Sequence, residues 1–246
     1  MPLTDYRTAL ITGASSGMGR AIAERLIAQG IEVHAVARNA EALAELKGCV
    51  PHHVDISNTE SLEAMVQGLE IDILINNAGV SRPGNVLTSN RFDIDEQIDV
   101  NLRAALHLIR LLMPGMVARN RGHVINITSM AGHYEFAGHT AYHATKAAMH
   151  MVSRQIRVDA YGHDVRVTEI SPGRVATDIF AKVHGLTPEE ARRQYLDEYD
   201  VPTAEDIADA ALYALGTPRH VNIGMIEMLP TRQVPGGLRT AKRNER

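Results

Sequence analysis

The chain has one cysteine, Cys49, no tryptophan and only three phenylalanines among its 246 residues. A lone thiol excludes an internal disulfide and suits a reducing, cytoplasmic compartment. With aromatics at 4% of residues, the core must be built from Ala, Val, Ile, Leu and Met. No run approaches the ~20 apolar residues of a membrane span. No apolar segment with a cleavage site follows Asp5 and Arg7, so no signal peptide is expected. A strong charge of one sign is also missing. The net charge is −4 and the pI about 6.3, which gives no general attraction for nucleic acid or an anionic membrane. The basic tail Arg239, Lys242, Arg243 and Arg246 reads as a solvated, frayed terminus.

What the chain does contain is an alternation of short Val- and Ile-rich runs with longer amphipathic stretches. Strands are expected at Thr8–Thr12, Glu32–Ala37, Cys49–Val54, Asp72–Asn76, His123–Thr128, Val165–Ile170 and Ile223–Met228. Helices are expected at Met18–Gln29, Ala40–Leu46, Thr59–Leu69, Phe92–Arg119, Ala141–Tyr161 and Ala204–Leu215. Runs such as Asp72-Ile-Leu-Ile-Asn76 are apolar on both faces, as strands inside a parallel sheet are. The pattern predicts an α/β fold: one Rossmann-like, doubly wound parallel sheet with helices on both faces, in a single domain over 1–246. Residues 172–200 are weakest for regular sheet structure and read as a substrate loop with short helices.

The first strand runs into Thr12-Gly13-Ala14-Ser15-Ser16-Gly17-Met18-Gly19, where a helix begins. A glycine turn at a helix N-terminus lets backbone N–H groups approach a pyrophosphate, although the spacing is not G-x-G-x-x-G. Where NAD-binding folds place an acid on the ribose 2′-hydroxyl, about 20 residues past the glycines, this chain has Ala37, Arg38 and Asn39. Arg38 is a planar cation suited to a 2′-phosphate, which favours NADP(H); a plain surface arginine is the alternative. Asp55 follows the third strand, either accepting from an adenine amino group or capping the next helix. Asn76-Asn77-Ala78-Gly79 follows the fourth strand at the same sheet edge.

Tyr142 and Lys146 are spaced i, i+4, so a phenol and an ammonium share one helix face. A cation ~4 Å away at an effective dielectric of ~20 favours phenolate by ~4 kcal/mol. Before desolvation is counted, that lowers the phenol by up to ~3 pKa units, toward neutral acid/base work. Ser129 ends the fifth strand thirteen residues earlier, where a hydroxyl can bind a substrate oxygen or simply cap a turn. Asn101 lies midway along a long helical stretch, as a functional kink or an exposed polar residue.

Taken in order, Thr12–Gly19, Asn76–Gly79, Asn101, Ser129, Tyr142, Lys146, Pro172-Gly173 and Thr177 resemble the motif set of the short-chain dehydrogenase/reductase family. The resemblance implies a catalytic Asn101, Ser129, Tyr142 and Lys146. Tyr142 exchanges the proton, Ser129 orients the substrate oxygen, Lys146 tunes Tyr142 and binds the nicotinamide ribose, and Asn101 supports a water relay. It also implies an NADP(H) site formed by Gly13, Ser15, Ser16, Gly17, Met18, Gly19, Arg38, Asp55, Ile56, Asn77, Ala78, Gly79, Tyr142, Lys146, Pro172, Gly173, Val175 and Thr177. Dimers or tetramers are the family's usual state, with the homotetramer expected here and the two long helices pairing across a two-fold.

The segment Pro218–Pro230 is similar to the branch of NADP-dependent 3-hydroxy acid, serine and short-chain aldehyde dehydrogenases, sulfoacetaldehyde reductases included. A small polar alcohol/carbonyl pair is the expected substrate. A 3-oxoacyl or other ketone reductase and a non-catalytic NADP-binding regulator are the alternatives. An extended-type epimerase or dehydratase fits less well, because it needs a longer C-terminal region. His133, Tyr134 and His139 lie between Ser129 and Tyr142 and are expected to line the substrate pocket with those two. Arg174 can clamp an acidic group bidentately, or form a surface ion pair. His139 and His143 are spaced i, i+4, yet no cysteine cluster or carboxylate accompanies them in sequence, so no metal is expected.

Overall fold

The structure is a computed structural model and describes residues 3, 5–234, 237 and 239–242. Seven parallel strands form one sheet in the order β3-β2-β1-β4-β5-β6-β7. They are β1 (Thr8–Thr12), β2 (Glu32–Ala37), β3 (Cys49–His53), β4 (Ile73–Asn76), β5 (Gly122–Ile127), β6 (Val165–Pro172) and β7 (Met225–Met228). The helices are α1 (Gly17–Ala28), α2 (Ala40–Glu45), α3 (Thr59–Val66), α4 (Arg91–Ile98), α5 (Ala104–Ala118), α6 (Thr140–Asp159), α7 (Ile179–His184), α8 (Pro188–Tyr195) and α9 (Ala204–Leu215).

Successive strand residues point to opposite faces, and each face has its own apolar core. Ile11, Ile75 and Ile125 pack with Ile22 and Leu26 of α1 and Ile207, Ala208 and Ala211 of α9. Their neighbours Leu10, Leu74 and Val124 pack on the other face with Leu62 of α3, Leu108 and Met116 of α5 and Ile156 of α6. This is why the strands read as continuous apolar runs. The sheet reverses its winding between β1 and β4, and the crevice beyond the carboxyl ends of strands at such a point is where ligands bind.

The long stretch expected at Phe92–Arg119 is helical but not uniform. A π-turn over Asp99–Arg103 separates α4 from α5, with Asn101 at its centre. The wider i→i+5 turn interrupts the α-helical pattern at Asn101. By length and composition Arg91–Ala118 passes for a membrane span, but half of its apolar window is buried, with α5 packed on the sheet. The basic tail is not simply frayed. Lys242 pairs with Glu198 at 2.7 Å, and Gln233 bridges to Thr240. Arg243 and Arg246 lie outside the described residues.

Candidate active site

A groove of about 880 Å³ opens at the carboxyl edge of β1, β2 and β4. Of the residues expected at the cofactor, Gly13, Ser15, Ser16, Gly17, Met18, Arg38, Asp55, Ile56, Asn77, Ala78, Gly79 and Thr177 line it. The turn is built for close approach. Gly13 has φ +69°, and a Cβ there would meet Asn77 Nδ2 at 2.8 Å. Ser16 is the N-cap of α1 but makes no side-chain cap, whereas Asn39, Asn58, Asn90, Thr187 and Thr203 all cap their helices. The first N–H groups of α1 are therefore left free of that competitor beside the groove, as an anion site requires. Thr12 Oγ1 accepts from the backbone N–H of Asn77 and Ala78, locking the β4 turn against the glycine turn.

Gly19, Pro172, Gly173 and Val175 do not line this groove. Gly19 has a packing role: a Cβ there would lie 2.4 Å from both Asn77 Nδ2 and the Gly13 carbonyl. Val175 is buried in the core, and Gly173 packs under Gln233 and Leu229. Arg38 is exposed at the groove edge and has no ion-pair or hydrogen-bond partner among the described residues. Asp55 Oδ1 accepts from Ser57 N and Oγ, so that oxygen holds the turn before α3. These features fit a dinucleotide with an extra phosphate: a glycine cradle, an open helix N-terminus and an unpaired guanidinium.

β5 delivers Ser129 and α6 delivers Tyr142 and Lys146; none of the three lines the groove, but Lys146 Nζ lies 3.6 Å from where a Cβ on Gly79, a groove residue, would stand. Burial raises the pKa of the Tyr142 phenol above its ordinary value, and Ser129 acts in the opposite direction. This corrects the estimate made from sequence, in which Lys146 dominates. The Lys146 Nζ stands 5.7 Å from the Tyr142 ring centroid and donates to the Ile127 carbonyl at 3.1 Å. Burial also pulls Lys146 down to about 8, with Glu169 opposing the shift. Asn101 is fixed by the Val80 backbone, accepting from its N–H and donating to its carbonyl, each at 2.8 Å. Asn101, Lys146, Asn76 and Thr12 line an internal cavity of about 10 Å³, roughly the space of one water.

The loop residues separate. His139 lies beside the Tyr142 ring, 6.4 Å between centroids, and contacts Ser81 Oγ. Burial lowers its pKa, and His143 and His184 push the same way. His133 and Tyr134 face elsewhere. His133 Nε2 bonds to Glu169 at 3.0 Å, and the charge of Glu227 on β7 raises the pKa of Tyr134. Both ring nitrogens of His143 are engaged by the Ala131 and Phe136 carbonyls. The fold does bring a carboxylate to two histidines, which the sequence did not reveal. His133, His150 and Glu169 present ligand atoms within 4.8 Å of one another, already hydrogen-bonded among themselves.

Arg174 is not an exposed surface arginine. Its Nη1 donates to the Tyr195 carbonyl at 3.1 Å, and its guanidinium lies 4.5 Å from the Tyr199 ring centroid. Its Nε is buried without a hydrogen-bond partner. Phe180 and His184 of α7 stack on Tyr195 of α8, with the Phe180 ring centroid 5.9 Å from the guanidinium. Lys182 of α7, which sequence reasoning missed, reaches the groove and contacts Ser16 Oγ at 3.4 Å. No motif marks it, because α7 is placed by tertiary packing.

The family profile described as short chain dehydrogenase matches residues 7–185. An uncharacterized short-chain type dehydrogenase/reductase, y4eK of Sinorhizobium fredii, is 36% identical over 98% of this chain and 98% of its own. NADP-dependent 3-hydroxy acid dehydrogenase YdfG of Salmonella typhi is 37% identical over 93% of this chain and 97% of its own. The closed form of a serine dehydrogenase complexed with NADP+ superposes with a TM-score of 0.88 at 35% identity, covering 96% of this chain and 100% of that one. The chain belongs to the short-chain dehydrogenase/reductase family of oxidoreductases.

Proposed function

We propose that the chain transfers a hydride between NADP(H) and a small polar alcohol/carbonyl pair, with 3-hydroxy acids, serine-like compounds and short-chain aldehydes such as sulfoacetaldehyde as the substrate class. The observation that carries this reading is the Lys146 ammonium 5.7 Å from the Tyr142 ring, packed against Gly79 of the Arg38-edged groove. The relatives named for NADP-dependent 3-hydroxy acid dehydrogenase and serine dehydrogenase support the cofactor and substrate class.

Bound NADP(H) supplies the hydride donor or acceptor. Ser129 holds the substrate oxygen, and Tyr142 gives it a proton in reduction or takes one in oxidation. Lys146 acts as the cation beside the phenol. Asn101 and the one-water cavity beside Lys146 provide a route for the proton to leave. Arg174 selects acidic substrates, its guanidinium exchanging the Tyr195 carbonyl for a substrate carboxylate or sulfonate. Residues 172–200 are the substrate segment of one catalytic unit spanning 1–246. Leu106 of α5 and Met151 and Val158 of α6 are exposed apolar side chains, as pairing of these helices in a homo-oligomer requires. The compartment is the cytoplasm.

The test is steady-state turnover with NADPH and NADH against 3-oxo acids, sulfoacetaldehyde, uncharged aldehydes and a 3-oxoacyl thioester, and in reverse with 3-hydroxy acids and serine. NADPH-dependent turnover of the small acids is expected. Arg174→Ala should raise KM for acidic substrates by about tenfold to a hundredfold, the worth of one charge-assisted hydrogen bond. KM for uncharged aldehydes should stay within about threefold of the wild type on the same argument. An unchanged KM for the acids removes Arg174 from the site, and turnover of the thioester alone makes the chain a 3-oxoacyl reductase.

A further inference from the structure

Glu169 is a carboxylate on β6 with 1% of its surface exposed, and it belongs to none of the motifs above. Its oxygens take three hydrogen bonds. Oε1 accepts from Thr128 Oγ1 at 2.6 Å and from His133 Nε2 at 3.0 Å. Oε2 accepts from His150 Nδ1 at 2.7 Å. Each donor adjoins the reacting groups. Thr128 precedes Ser129 at the end of β5. His150 follows Lys146 by one turn of α6. His133 belongs to the segment that joins Ser129 to Tyr142. The three donors come from the end of β5, from the loop after it and from α6, and Glu169 of β6 is where they meet.

We propose that Glu169 is the positioning residue of this active site: its carboxylate holds the Ser129 strand end in register with the Tyr142–Lys146 helix, and it is the buried counter-charge to Lys146. The proposal rests on reading Tyr142 and Lys146 as the acid/base pair. Charged and titratable groups surround Glu169. Lys146 and His150 face it from α6 and His133 from the loop. Glu227 of β7 is exposed, and its charge raises the pKa of Tyr134. A carboxylate accepting this many donors in a closed site is held rigidly, and so are the donors. Its charge also acts on Lys146 directly, since Glu169 opposes the fall in the lysine's pKa that burial causes.

The sign of the pH effect follows. Lys146 is cationic below about 8 and neutral above it. Removing the charge at 169 removes the influence that raises this value, so the alkaline limb of turnover moves to lower pH. The experiment measures kcat, KM and NADPH affinity across pH for the wild type, Glu169→Gln and Glu169→Asp. For Glu169→Gln the limb should move down by about one unit, so that the loss in kcat widens by about tenfold on the alkaline side. Glu169→Asp keeps the charge and shortens the tether. Its kcat should fall by about tenfold at every pH with the limb in place, because the groups are slightly misplaced. A Glu169→Gln profile that superimposes on the wild type overturns the proposal, as does a Glu169→Asp limb displaced equally far. If Glu169→Gln does not fold, His150→Gln and Glu169→Asp test the tether, and wild-type kcat in both overturns it. Absence of NADPH turnover in the wild type overturns the acid/base reading itself, which is a different result.

Discussion

Tyr142→Phe is expected to lower kcat by about 10²–10⁴-fold, the usual contribution of one positioned proton donor, while NADPH binds nearly as in the wild type. The phenol ring is part of the wall between His139 and Lys146, at 6.4 Å and 5.7 Å, so phenylalanine keeps the packing and removes only the hydroxyl. That hydroxyl is the group whose pKa Ser129 lowers against the effect of burial. Without it, a substrate oxygen held by Ser129 has no proton to receive in reduction and no base in oxidation. The check is single-turnover NADPH oxidation alongside nucleotide affinity. Equal rates for the two proteins would remove Tyr142 from the chemistry and favour a non-catalytic nucleotide binder.

Arg38→Asp should invert the cofactor preference. Arg38 is exposed, has no partner among the described residues and edges the groove, so replacing it disturbs no packing. A charge-assisted hydrogen bond to a 2′-phosphate contributes about 1.5–3 kcal/mol, which is about tenfold to a hundredfold in affinity. The aspartate also repels that phosphate and can accept from the 2′-hydroxyl of NAD(H). The ratio of kcat/KM for NADPH over NADH should therefore fall by at least about a hundredfold, through both terms. The melting temperature should barely change. An unchanged ratio would mean that the 2′-phosphate is held elsewhere in the groove.

Much of this was legible in the sequence because the signals are local. β1, β2 and α9 have the bounds their apolar runs predict, since Leu10 and Ile11 each have a core to face. The glycine turn, Ser129, Tyr142 and Lys146 stand at fixed offsets along the chain, and the fold brings them to one edge. The segment Phe92–Arg119 reads as one helix, and only the structure shows the π-turn that presents Asn101 to Val80. The short helices α7 and α8 fall in the stretch that read weakest, although Thr187 and Glu190 form a capping box, with Pro188 at the first helical position, that was there to be read. Glu169 was invisible because its partners are 19, 36 and 41 residues away, and only the sheet joins them. His133 looked like a pocket residue for the same reason: position between two catalytic residues says nothing about which way a ring turns.

The pKa of Tyr142 was the least legible quantity. An i, i+4 lysine suggests a strongly acidic phenol, but burial acts on both groups. Lys146 loses its proton near 8, before the phenol ionises, so in the free chain the cation is gone when it is needed. Bringing Tyr142 into the working range therefore requires added positive charge, which the oxidised nicotinamide carries.

The most direct measurement is a titration of the Tyr142 phenol by tyrosinate absorbance, taken as wild type minus Tyr142→Phe, without nucleotide and with saturating NADP+. Without nucleotide the phenol should ionise above the ordinary value of ~10. With NADP+ bound the midpoint should drop by more than about one unit, as a nearby cation demands. A midpoint that is the same in both states would contradict the account, because no bound nucleotide would then be tuning the residue said to move the proton.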